Sequence, residues 1–163
     1  MAGTRPRDWP RDILEGDVDA QTGGLFRLAL NGLRYYAAVD RNELDIAREH
    51  LAAVVSELAE APPTLQPSWA TEAVWFEGVV RRDAPAAAEW AELARRPGIV
   101  DAAAAPRIDA ALAWSRGDVA AARKAALEAL ALLDRSLDPG SAAAIRDQLE
   151  GFAARTSEAS TAA

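Results

Sequence analysis

Apolar residues return every three to four positions along most of this chain, and a capping or breaking residue closes each such stretch. From Thr22 to about Val39, Leu25, Leu28, Ala29, Gly32, Leu33, Tyr36 and Ala37 recur at helical spacing. Asn42 is a candidate N-cap, with Asp45 three residues on, for a second helix carrying Leu44, Ala47, Leu51, Val54, Val55 and Leu58. Ala61-Pro62-Pro63 stops it, because proline lacks an amide hydrogen and restricts the residue before it. Ser68 is placed to cap a third helix running to about Arg81, with Trp69, Ala73, Phe76 and Val80 on one face. Asp83 caps a fourth, with Pro85 in its first turn, and Pro97-Gly98 ends it. Asp101 starts a fifth helix to Arg116, and Asp118 starts a sixth from Val119 to about Ser136. Asp138-Pro139 opens a last helix to about Gly151, carrying Ile145, Leu149 and Phe152. Residues 1–21 read as an irregular lead-in, with a helical turn at 11–15 and Trp9, Ile13 and Leu14 against the first hairpin. Residues 153–163 read as a small, polar, frayed tail.

Three joints between these helices read alike. They are Arg41-Asn42-Glu43, Arg81-Arg82-Asp83 and Arg116-Gly117-Asp118, each followed four residues later by Ala47, Ala87 or Ala122. These alanines lie 40 and 35 residues apart, a period that marks stacked helical hairpins. The expectation is an all-α fold, a right-handed α-solenoid of about three antiparallel hairpins over 22–152 with the last helix as a cap.

Composition strengthens the helical reading and qualifies the repeat. Alanine, the best helix former, fills 40 of 163 positions, and no stretch alternates apolar and polar with period two. Seventeen arginines against one lysine, Lys124, together with the alanine excess, point to a GC-rich bacterial genome. Such a bias raises alanine everywhere, so the placement of the three alanines carries the repeat rather than their identity.

A net charge of −7 and the absence of a basic stripe argue against nucleic acid and against anionic lipid. No apolar run approaches the roughly 20 residues that cross a bilayer, and residues 1–10 lack a signal peptide's apolar core. Cysteine is absent. A cytoplasmic protein is expected.

The third hairpin resembles a tetratricopeptide repeat. That family places small residues where its two helices cross, and Gly-Asp or similar at the turn. With Gly117-Asp118 on that turn, Ala110, Ala122 and Ala129 fall on the small positions, while Trp114 and Val119 fall on hydrophobic ones. Asp134 stands where the family usually has proline. The first hairpin keeps Ala47 but has Tyr35 and Val54 at the other crossings; the second keeps Ala87 and Ala94 but has Trp75.

A second resemblance rests on Arg5-Pro6-Arg7-Asp8-Trp9-Pro10 and on Leu33-Arg34-Tyr35-Tyr36-Ala37-Ala38-Val39-Asp40-Arg41. These are similar to soluble tails of some bacterial site-2-protease-like membrane metallopeptidases. That implies an accessory or regulatory domain, because the His-Glu-x-x-His membrane part of such enzymes is not in this sequence.

Few residues offer chemistry. His50 is the only histidine, so neither a His-Glu-x-x-His zinc site nor a di-iron Glu-x-x-His site can form. It reads as a residue of a solvated polar face. Gly-x-Ser-x-Gly is missing, and Gly23-Gly24 is not followed by Gly-Lys-Ser/Thr. No catalytic residue, metal or cofactor is expected.

The tetratricopeptide resemblance implies that the first helix of each hairpin lines a binding face. In the first hairpin this gives Ala29, Gly32, Tyr36, Val39 and Asp40. The second gives Trp69, Glu72, Phe76, Val79 and Val80, and the third Ala104, Arg107, Ala111, Trp114 and Ser115. Tyr36, Trp69, Glu72, Phe76, Arg107 and Trp114 are the expected contacts, since aromatic residues and arginine dominate interface energetics. The function expected is a non-catalytic scaffold or adaptor binding a peptide or partner protein. An aromatic stripe at this spacing serves core packing equally well. Small-molecule sensing beside Glu72 or Arg107 is a further reading of the same residues.

Overall fold

The computed structural model describes residues 23–58, 63–98, 100–133 and 139–161. Among these the chain is all-α, with seven helices packed in sequential pairs. They are α1 (Gly24–Asp40), α2 (Leu44–Leu58), α3 (Gln66–Trp75), α4 (Ala84–Ala94), α5 (Ala104–Ser115), α6 (Val119–Leu133) and α7 (Pro139–Thr161). A 3-10 turn at Pro63–Leu65 precedes α3, and a π-helical turn over Phe76–Arg81 continues it. The chain divides into two compact units, one up to Gln66 and one from Pro67.

In the first unit α1 packs on α2. Leu30, Tyr35, Ala37 and Ala38 of α1 are buried, as are Ala47, Leu51, Val54 and Leu58 of α2. Arg27 near the start of α1 pairs with Glu57 near the end of α2 at 2.9 Å, as an antiparallel pair of helices requires. In the second unit α4 packs against the π turn and α5, α5 against α6, and α6 against α7. Its core runs through Val74, Trp75, Ile108, Trp114, Leu133, Leu149 and Phe152, together with buried alanines of α4, α5 and α6.

The three joints that read alike in sequence share one backbone device. Asn42 (φ 59°), Arg82 (φ 57°) and Gly117 (φ 82°) are all left-handed. After α1, Asn42 N–H donates to the Val39 carbonyl and Glu43 N–H to the Ala38 carbonyl. After α5, Gly117 N–H donates to Trp114 and Asp118 N–H to Ala113 in the same pattern. This is the double hydrogen bond of a Schellman ending, which satisfies the last carbonyls of the helix. After the π turn the bond is longer in sequence: Asp83 N–H reaches the Glu77 carbonyl at 2.8 Å. The acidic residue that follows then begins the next helix. Asp83 Oδ1 accepts from Ala86 N–H at 3.1 Å and Asp118 Oδ1 from Ala121 N–H at 3.0 Å. Ala47, Ala87 and Ala122 are all fully buried. All nine crossing positions implied by the resemblance are buried, including the bulky Tyr35, Val54 and Trp75.

Several boundaries differ from expectation. Asn42 does not cap α2; it ends α1 in a left-handed conformation, which asparagine tolerates, and Glu43 takes the position before α2. Ser68 lies inside α3, which starts at Gln66 with Pro67 in its first turn. The regular helix expected to Arg81 gives way to the π turn at Phe76. Asp101 acts one turn before α5: its Oδ1 accepts from Ala103 N–H at 2.8 Å, ahead of the helix start at Ala104. Helix α7 continues past Gly151 to Thr161, so Ala153–Thr161 is helical rather than a tail. The lead-in, Ala61-Pro62, Asp134 and Asp138 lie outside the described residues.

Candidate functional site

Three helices of the second unit converge on Arg107. Glu72 and Trp75 lie three apart on α3, Arg107 and Trp114 seven apart on α5, and Gln148 and Phe152 four apart on α7. Each spacing puts its pair on one helical face. Arg107 is buried, with 1% of its side chain exposed. Its Nη2 donates to Glu72 Oε1 at 2.7 Å and to Gln148 Oε1 at 2.9 Å. Its Nη1 lies 3.6 Å from Asp101 Oδ2, and its guanidinium carbon 5.6 Å from the centre of the Trp75 ring. An interior charge is tolerated only when paired and hydrogen-bonded, and this arginine is both. The guanidinium stays protonated, so it supplies charge and donors and moves no proton.

An aromatic layer adjoins this polar centre. Phe152 of α7 stands edge-on to Trp75 of α3, with centroids 5.2 Å apart, and to Trp114 of α5, at 5.3 Å. The Arg82 guanidinium lies 4.3 Å from the centre of the Trp114 ring, a cation–π contact made by the left-handed residue that follows the π turn. Within that turn Arg81 and the buried Glu77 form an ion pair at 3.3 Å. Gly78 admits α5 closely: a β-carbon there would lie 2.8 Å from the Ala111 carbonyl oxygen.

Of the six residues expected to form a binding face, Glu72, Arg107 and Trp114 meet in this cluster. Glu72 and Arg107 are joined to each other, and Arg107 and Trp114 are buried rather than open. Phe76 is fully buried, and Trp69 is half-buried on α3. Tyr36 belongs to the first unit, half-buried on α1, with its ring 5.0 Å from that of Tyr35. Also on α1, Leu33, three residues before it, and the more distant Phe26 are exposed (39% and 60%). Sequence reasoning missed Trp75, Gln148 and Asp101 as members of the cluster. Trp75 carried a signal, as a bulky residue where the tetratricopeptide resemblance implies a small one; Gln148 carried none.

His50 is half-buried on α2. Burial first, and then the nearby Arg34 charge, hold its pKa below the ordinary 6.5, while Glu49 opposes them. Among the described residues no group of histidine and carboxylate side chains is placed to hold a metal ion, and no helix is long and apolar enough to cross a membrane. No family model, curated protein or solved structure matches this chain.

Proposed function

We propose that this chain is a non-catalytic interaction module of tetratricopeptide type, a right-handed solenoid of helical hairpins acting in the cytoplasm. It binds a peptide or partner protein through the face of α3 and α5, with Trp69 and Glu72 at the rim and Arg107 and Trp114 beneath. The observation that carries this reading is the Glu72–Arg107 pair between α3 and α5, to which Trp114 is linked through Phe152 and Trp75. Glu72 lies on α3 and the other two on α5, more than thirty residues further along the sequence. The shared left-handed joint before Ala47, Ala87 and Ala122 supports the repeat itself.

The test is an array of helical peptides probed with the purified protein and with a Trp69→Ala variant. Peptides that bind the natural protein are expected to lose at least about tenfold in affinity on the variant, as removal of aromatic anchors does. Unchanged binding would remove these helices from the interaction.

A further inference from the structure

Helix α7 already does what a bound partner helix would do. Ile145, Gln148, Leu149 and Phe152 follow the i, i+3, i+4, i+7 pattern by which an amphipathic helix enters a groove. Leu149 and Phe152 are fully buried. Gln148 bonds to Arg107, and Phe152 stands between Trp75 and Trp114. The residues it covers include Arg107 and Trp114 of the proposed binding face.

We infer that α7 is a built-in occupant of this face, displaced by a partner helix that presents the same two features. Those features are a neutral amide oxygen and an aromatic ring one turn later. The amide is called for because the single Arg107 charge already faces two carboxylates, Glu72 at 2.7 Å and Asp101 at 3.6 Å. A third carboxylate would be repelled. Displacement is favoured by the composition of α7. Gly151 lies in its interior, with serine and threonine towards its end, all weaker helix formers than alanine. Its neighbour α6 is built almost wholly of alanine, leucine, arginine, lysine and glutamate, all strong ones. Once α7 is lifted, Arg107 keeps Glu72 and offers the freed N–H, while Trp75 and Trp114 offer an aromatic cleft.

This inference rests on the binding-face reading above, and the experiment separates the two. The probe is a labelled peptide of residues 143–157 of this chain, titrated into the full protein and its Gln148→Ala variant. Gln148→Ala weakens the internal occupant without opening the apolar core; circular dichroism checks its fold. The peptide is expected to bind the variant about tenfold more tightly than the natural protein, the effect of one lost hydrogen bond to a charged group. Tryptophan emission should change on binding. Peptides carrying Phe152→Ala or Gln148→Glu should lose at least about tenfold. Hydrogen exchange on the natural protein should show α7 opening more readily than α5 and α6. Equal binding to both proteins, or equal protection of α7 and α5, overturns the displaced-helix inference and leaves the binding face standing. No binding of any peptide to either protein overturns the inference, and a silent peptide array then overturns the face as well.

Discussion

The close approach of the π turn to α5 at Gly78 makes a sharp stability prediction. A β-carbon added at Gly78 would lie 2.8 Å from the Ala111 carbonyl oxygen and 3.1 Å from both the carbonyl carbon and the β-carbon of Ala111. The obstacle is main chain within α5, which cannot rotate away as a side-chain tip would. Overpacking of this kind costs about 1–3 kcal/mol, and a contact below 3.0 Å belongs in the upper part of that range. Alanine's better helix propensity returns at most about 1 kcal/mol. Gly78→Ala should therefore lose about 1–2 kcal/mol net. Gly151 supplies the control. It is exposed in α7 with nothing within 4 Å of the added carbon, so Gly151→Ala should gain up to about 1 kcal/mol. Both glycines lie in the second unit, as do Trp69, Trp75, Trp90 and Trp114, four of the five tryptophans. Urea unfolding followed by tryptophan emission therefore reads both variants. With a slope of about 1.5 kcal/mol per molar urea, the two midpoints should move in opposite directions and separate by about 1–2 M. A Gly78→Ala midpoint equal to or above the natural one would show that the π turn and α5 do not approach as described.

Two further outcomes follow from buried charge. Glu72→Ala leaves Arg107 in the interior without its nearest carboxylate, and should cost about 3 kcal/mol. Glu72→Ala/Arg107→Met removes the stranded charge and should recover most of that loss in the same urea assay. A double variant no more stable than the single one would contradict the buried-charge account. For His50 the sign is set by its lowered folded pKa. The unfolded chain takes up the proton first as pH falls, so the neutral imidazole's contribution is complete above 6.5. It is lost as pH falls from there through the folded value. His50→Gln should flatten stability over that window. An NMR titration midpoint for His50 at or above 6.5 would refute this.

The helices and their joints were legible because local forces make them. Asp83 and Asp118 cap through their own side chains, and Gly117 ends α5 where a left-handed residue is required. Asn42 was misassigned because asparagine suits both an N-cap and a left-handed ending, and sequence alone does not separate the two. The π turn at Phe76–Arg81 left no signature, since its residues keep the apolar content of an ordinary helix. Candidate-site residues were legible as types and spacings but not as exposures. Glu72 and Arg107 were expected to face a partner, and they face each other.

The amino-acid sequence thus determined an all-α chain, its hairpin joints and the alanines that open the second helix of each pair, because propensity, capping and breakers act over a few residues. Tertiary structure alone decided which of these helices bury which faces. In helices this rich in alanine every face can pack, so periodicity does not choose between groove and core. That choice fell to contacts between distant residues: Gly78 against Ala111, Phe152 between two tryptophans, and an interior arginine held by partners from α3, α7 and the turn before α5.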